Sequence, residues 1–147
     1  MISHPPASPA SSGKPSASVT LVTLVTGSSA LVREAAIWSA IAADAASAQD
    51  SDKLAVNKLA VILEGLPDGK SPPAPTHSQL HITRIAPGCF CCIGNLTLRV
   101  TLNRLLRTHP SRIYISIADI THLDKIHDFL SLSPYDTWLT LSDAITM

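Results

Sequence analysis

The stretch VTLVTLVT (residues 19–26) runs directly into GSSALVRE (residues 27–34) and decides the fold. Its first half is β-branched and almost continuously apolar, which is typical of a strand covered on both faces. The alanine-rich segment 33–48 contains good helix formers, with Ile37, Trp38 and Ile41 at helical spacing. A buried strand that leads through a glycine turn into a helix predicts the first unit of an α/β fold.

The rest of the chain repeats this alternation of strands and helices. Further strands are predicted at 59–63, 80–85, 113–118 and 138–142, and further helices at 95–108 and 124–132. Segment 80–85 alternates with period two, so it is expected at the periphery of the sheet. Trp138 is expected to pack at the edge of the core on the last strand. The order predicts a three-layer α/β/α fold with a mostly parallel sheet, in which ligands bind at the carboxyl ends of the strands.

Composition limits the classes of function. The 147 residues suffice for one ordinary domain, and eleven basic residues balance eleven acidic ones without a basic run. No nucleic-acid or membrane partner is therefore expected. Residues 1–18 are rich in Pro, Ser and Ala and are predicted to be a disordered tail, which leaves 19–147 as the α/β domain. The apolar run that starts at Val19 is too short to span a bilayer and meets Arg33 and Glu34, so a cytoplasmic location is expected.

All three cysteines lie close together, in the segment APGCFCCIGN (residues 86–95). An odd number with two adjacent members does not favour a disulfide framework. Thiolates are soft donors that suit Zn²⁺ and Cu(I). Cys89 and Cys91 can turn their sulfurs toward one point, and the flanking glycines permit the bend that Cys92 needs. The sequence predicts a metal site here, with an inert packed turn or a redox-sensitive pair as the alternatives.

A closed metal site needs a fourth ligand, and the sequence offers three candidates. His81 lies on the strand before the cysteines, whereas Glu64 and His122 follow neighbouring strands. A lone histidine is weak evidence of ligation, so a polar surface role on a peripheral strand is favoured for His81 over ligation. Asp119 is interpreted as a turn aspartate more readily than as a metal ligand.

The order of strand, Gly-Cys-x-Cys-Cys and leucine-rich helix resembles the CobW-type metallochaperone GTPases, a P-loop family related to the UreG and HypB proteins. The similarity runs from Val19 to about Ala144, roughly the first half of that family's GTPase domain. The resemblance implies a truncated, degenerate member with a P-loop-NTPase-like half domain. It also implies zinc, with copper or cobalt as alternatives, and an acidic metal-handling residue within one position of Glu64.

The nucleotide site of that family is poorly matched. A phosphate-binding loop needs Gly, four residues and then Gly-Lys-Ser/Thr, because backbone N–H groups, the lysine and the hydroxyl hold phosphate and Mg²⁺. Here Val32 replaces the second glycine, Arg33 the lysine and Glu34 the hydroxyl, which places a carboxylate where phosphate would lie. As a residue of the helix start, Glu34 is expected to favour the helix dipole. Only Gly27 and Arg33 remain as nucleotide-binding candidates. No catalytic residue is predicted, and GTP with Mg²⁺ is not favoured as a cofactor.

Three functions follow, in order of preference. The first is a zinc-binding protein resembling CobW-type metallochaperones, without GTPase activity, that passes its metal ion to a client protein. The second is a GTP- or GDP-binding module without efficient hydrolysis. The third is a scaffold that pairs with a complete family member or forms a homodimer through an exposed sheet edge.

Overall fold

The computed structural model describes residues 19–47, 58–65, 69–70, 72–77, 79–86 and 96–147. The predicted tail at 1–18 and the cysteine segment therefore lie outside the described residues, and the predictions for Cys89, Cys91 and Cys92 stay predictions.

Strands and helices alternate along the described chain as predicted. The elements are β1 (Thr20–Thr26), α1 (Ala30–Ser47), β2 (Leu59–Glu64), β3 (Leu80–Ile85), α2 (Leu96–Leu106), β4 (Arg112–Ile117), a 3₁₀ turn (Ile120–His122), α3 (Leu123–Ser131), α4 (Tyr135–Trp138), β5 (Leu139–Leu141) and β6 (Ile145–Thr146). Every element predicted from the sequence is present, with bounds that shift by a few residues at most. Helix α4 and strand β6 were not predicted, because both are too short to show a periodic pattern.

The sheet has the order β3-β2-β4-β1-β5, and β6 extends the pairing along β1. Every pairing among these strands is parallel. Strand β3 lies at the edge of the sheet, as its alternating pattern predicted. Most of its residues are exposed or half-buried, whereas β2 is buried along almost its whole length. The mostly parallel α/β/α architecture is confirmed.

Helices cover both faces of this sheet. On one face, α2 and α3 pack through Leu98, Leu102 and Ile126 onto the inward residues of the central strands. On the other face, α1 packs through Ile37 and Ile41 onto the alternate residues of the same strands. Successive strand residues point to opposite faces, so the two clusters are separate cores and the domain has three layers.

Two expectations about where single residues lie in the fold were wrong. Trp138 ends helix α4 rather than lying in β5, and it is 50% exposed, because Tyr135 takes the buried position of that short helix. Helix α1 begins at Ala30, so Glu34 lies beyond the first turn and is not a helix-start carboxylate. Within the described ranges, none of the helices is long and apolar enough to cross a bilayer.

Candidate functional site at the carboxyl edge of the sheet

A three-residue turn, Gly27-Ser28-Ser29, joins β1 to α1. Ser29 caps the helix: its Oγ accepts a hydrogen bond from the Val32 N–H at 3.2 Å, and its carbonyl accepts one from the Arg33 N–H at 3.1 Å. The backbone N–H groups at these two positions are therefore used inside the helix start. A phosphate-binding loop instead turns its N–H groups toward the ligand.

The guanidinium of Arg33 is buried beneath this turn. Its Nε donates to Ser116 Oγ at 2.8 Å, and its two terminal nitrogens donate to the carbonyls of Gly27 at 3.0 Å and Glu64 at 3.4 Å. Arg33 is only 4% exposed, and this burial lowers its pKa, against the raising effect of the nearby Glu64 and Glu34 charges. The guanidinium of Arg33 thus ties together the ends of β1, β2 and β4.

Glu34, the next residue, forms a second charged pair. Its carboxylate is almost fully buried and accepts from both terminal nitrogens of Arg84 on β3, at 2.9 and 3.4 Å. The expectation that Glu34 would present its carboxylate in the phosphate position is therefore wrong, since the side chain reaches sideways to the edge strand. Forked Arg–carboxylate pairing of this kind fixes both side chains.

The carboxylate of Glu64 lies at the carboxyl end of β2, within one position of the acidic residue that the family resemblance implies. It is 2% exposed, and its Oε2 accepts a hydrogen bond from the Ala118 N–H at 2.6 Å. It lines an open cleft of about 670 Å³ at this edge of the sheet. The other lining residues are Thr26, Gly27, Ser28, Ala118, Asp119, Ile120, His122, Thr146 and Met147.

Asp119 and His122 also line this cleft. Asp119 Oδ1 accepts a hydrogen bond from the Thr121 hydroxyl at 2.7 Å and one from the Thr121 N–H at 2.9 Å. Both bonds lower the pKa of Asp119, and the bond from the hydroxyl has the larger effect. These contacts support the interpretation of Asp119 as a turn residue. His122 Nε2 lies 3.6 Å from Asp119 Oδ2, and within the described chain its buried Nδ1 has no hydrogen-bond partner.

The three candidates for a fourth ligand are not all brought together. Glu64 and His122 share the cleft, but His81 is exposed and lies near the start of β3. In the register of β2 and β3, His81 pairs with Ala60, whereas Glu64 pairs with Ile85. Four residues of strand separate these positions, which corresponds to roughly 13 Å.

No cluster of three or more His, Cys, Asp or Glu side chains that could hold a metal ion occurs among the residues that the structure describes. The cysteine segment connects Ala86, which follows β3, to the start of α2 at Leu96. The thiolate ligand set accordingly stays a prediction from the sequence.

Sequence reasoning did not single out Arg84. A signal for it exists in the period-two pattern of β3, which puts Leu80, Ile82 and Arg84 on one face of the strand. Leu80 packs against the cluster that α1 covers, so Arg84 lies on the same side of the sheet, where it meets Glu34. The hydrogen bond between Arg33 and Ser116 could not be predicted from such a pattern. It depends on the side-chain conformation of Arg33 and on a strand that is far away in sequence.

Comparison with known proteins gives one partial similarity. The chain is 36% identical over 61 residues to the protein named zinc chaperone YeiR of Escherichia coli (strain K12), which covers 41% of this chain and 19% of the relative. The aligned part thus represents about a fifth of that protein. No protein-family model and no solved structure matches the chain. The similarity is thus to one protein and covers less than half of this chain.

Proposed function

We propose that this protein binds zinc through Cys89, Cys91 and Cys92 and acts as a metal carrier of the CobW type. The observation that carries the proposal is the similarity to a zinc chaperone, on a chain whose three cysteines fall in one short segment. Thiolate-rich sites favour Zn²⁺ among the common divalent ions, with Cu(I) and cobalt as weaker candidates.

The carboxyl-edge cleft supplies a further ligand in this proposal. Glu64 pairs in register with Ile85, and Cys89 follows Ile85 by four residues. Four residues of chain span at most about 14 Å. The first cysteine is therefore tethered within that distance of the strand end that neighbours Glu64. The hydrogen bond from the Ala118 N–H holds the Glu64 carboxylate in one orientation, as outer-shell donors do for metal-binding carboxylates.

His122 is the second choice for the fourth ligand. Its imidazole lies on the same cleft, and the buried Nδ1 without a hydrogen-bond partner in the described chain marks a nitrogen that a cation would satisfy. His81 is not part of the proposed site, because the register separates it from Glu64 along the strand.

We also propose that the domain does not hydrolyse GTP. The cation at the turn, Arg33, is held by three protein acceptors, and the helix start uses the N–H groups that phosphate would need. The cleft carries the carboxylates of Glu64 and Asp119, which repel a polyphosphate. A carrier of this kind would release its zinc to a client protein that binds the ion more tightly.

The experiment is to purify the protein anaerobically and measure zinc per chain by mass spectrometry. We expect near-stoichiometric zinc in the natural sequence and its loss in Cys91→Ser/Cys92→Ser. Glu64→Gln and His122→Gln test the fourth ligand, and His81→Gln is the matched control, expected to leave zinc affinity unchanged. Metal-free protein that has three accessible thiols and takes up no zinc on titration would overturn the proposal.

A further inference from the structure

An open cavity of about 530 Å³ lies at the other edge of the sheet, at the amino ends of the strands. Its walls are the last turns of α2, helix α4 and Thr20, the first residue of β1. Thr20 pairs with Leu139 at the start of β5, so this cavity and the carboxyl-edge cleft lie at opposite ends of β1. The zinc proposal makes no use of it.

The apolar wall of this cavity is a tryptophan held in place from behind. Trp138 is 50% exposed, and its ring meets the Tyr135 ring edge-on at a centroid distance of 6.0 Å. Tyr135 is fixed in turn by the Phe129 ring at 4.9 Å and by a hydrogen bond from its hydroxyl to Asn103 Oδ1 at 2.8 Å. An aromatic ring that is rigidly held and half exposed is a ready stacking surface.

The polar wall is basic. Arg107 and His109 line the cavity, and no acidic side chain lines it among the described residues. The surrounding segment 96–109 contains three arginines and no Asp or Glu. His109 adopts the left-handed conformation (φ 53°), which is uncommon for a residue other than glycine and which turns the chain back against the end of α2.

The end of α2 would ordinarily disfavour an anion, because its last carbonyls carry partial negative charge. Here the last two of those carbonyls accept hydrogen bonds. The Thr108 N–H donates to the Leu105 carbonyl, the His109 N–H donates to the Leu106 carbonyl, and Lys58 Nζ donates to the Thr108 carbonyl at 3.2 Å. These hydrogen bonds offset part of that negative charge, and the guanidinium of Arg107 lies beside it on the cavity wall.

A second cavity of about 440 Å³ adjoins the first across Trp138 and Asn103. It too is lined by one arginine, Arg99, which lies over the Phe129 ring at 5.5 Å, and by no acidic side chain among the described residues. The same pairing of an aromatic surface with an arginine is thus present on both sides of Trp138.

We propose that the amino-edge cavity binds a small organic anion, a carboxylate or a phosphate monoester on a planar apolar group. The planar group stacks on Trp138 and Leu106, and the anionic group lies against Arg107 and His109. Arginine binds both kinds of anion in a forked geometry, so the two share one recognition chemistry.

The test uses the full chain and three probes in isothermal titration calorimetry at low salt: 1-naphthoate, 1-naphthyl phosphate and the neutral 1-naphthalenemethanol. We expect the dissociation constant of at least one anion to be lower than that of the alcohol by a factor of about ten or more. A factor of about ten corresponds to one charge-assisted hydrogen bond. Preference between the two anions identifies the anionic group of the natural ligand. Arg107→Gln should weaken anion binding about tenfold and leave the alcohol unchanged.

The matched control is Arg104→Gln, which removes a charge from the last turn of α2 at a residue that does not line the cavity. It should weaken binding of the anions less than Arg107→Gln does, because Arg104 is not placed to donate hydrogen bonds to a ligand in the cavity. Trp138→Leu should weaken all three probes while the thermal midpoint shows that the protein is folded. Equal affinity for the three probes, no binding of any, or equal effects of the two arginine substitutions would overturn the proposal.

Discussion

The two edges of the parallel sheet use their charged residues in opposite ways. At the carboxyl edge, Arg33 and Glu34 are almost fully buried and bonded to other parts of the protein. At the amino edge, Arg107 and His109 are exposed on an open cavity beside an aromatic surface. The first group is needed to hold strand ends together, whereas the second adds little to the fold and is accessible to a ligand.

This difference bears on whether the strand, turn and helix at the carboxyl edge are free to hold an anion. All three elements are present, but the guanidinium of Arg33 contacts protein acceptors. Shape alone therefore does not indicate phosphate binding at this edge. Function at an α/β sheet has to be argued from the contacts of each side chain.

The largest effect is expected from Arg33→Met, which breaks the buried network. The change leaves Ser116 Oγ, the Glu64 carbonyl and nearby carboxylates without their cation, and we expect a loss of about 3–5 kcal/mol in the free energy of unfolding. Urea denaturation measures it, with the exposed Arg104→Met as the control. A loss below about 1 kcal/mol would show that the carboxyl edge does not depend on this cation.

A smaller and asymmetric effect is expected at the Glu34–Arg84 pair. Arg84→Met strands a buried carboxylate and should cost about 2–3 kcal/mol. Glu34→Gln leaves an arginine whose side chain is already 32% exposed, and should cost about 1 kcal/mol. The same denaturation assay compares them. Equal costs, or a larger cost for Glu34→Gln, would contradict the assignment of Glu34 as the buried partner.

Asp119 gives a pH-dependent effect smaller than either. The hydrogen bonds from Thr121 lower the pKa of this exposed carboxylate below its ordinary value of 3.8, so its ionised form is the one that stabilises the fold. The contribution is present above pH 4 and is lost as pH falls through the lowered pKa. Asp119→Asn should therefore lower the thermal midpoint at pH 7 and approach the natural sequence at pH 2. A difference that is constant with pH would contradict this account.

The smallest effect on stability is expected from Arg107→Gln at the amino edge. Because Arg107 is exposed, the free energy of unfolding should change by less than about 0.5 kcal/mol. The variant should differ from the natural sequence in binding of an organic anion and not in folding. A large loss of stability in urea would place Arg107 with the structural charges and remove the contrast between the two edges.

Much of the fold could be predicted from the sequence, for reasons that differ between elements. The β-branched apolar run of β1 indicates a strand that is covered on both faces, and the alternation in segment 80–85 indicates a strand that is less buried. The inner strand and the edge strand were therefore both predicted correctly. Trp138 was misplaced because Tyr135, three residues earlier, competes for the same buried position. A helix of a single turn shows no repeating apolar pattern, so the sequence does not indicate which of the two aromatic residues is buried.

The candidate site was less predictable. Spacing placed Glu64 and His122 at neighbouring strand ends, and the structure brings them to one cleft. The role of Arg33 could not be predicted, because it depends on acceptors from β2 and β4 that are far apart in sequence. The ligand role of the cysteines stays a prediction, since their segment lies outside the described residues.

The most direct measurement of the central claim is X-ray absorption at the zinc edge on anaerobically loaded protein. The account predicts a first shell dominated by sulfur at about 2.3 Å, with one oxygen or nitrogen ligand near 2.0–2.2 Å that changes in Glu64→Gln or His122→Gln. A shell of oxygen and nitrogen alone, unchanged by Cys91→Ser/Cys92→Ser, would contradict zinc binding by the cysteine segment.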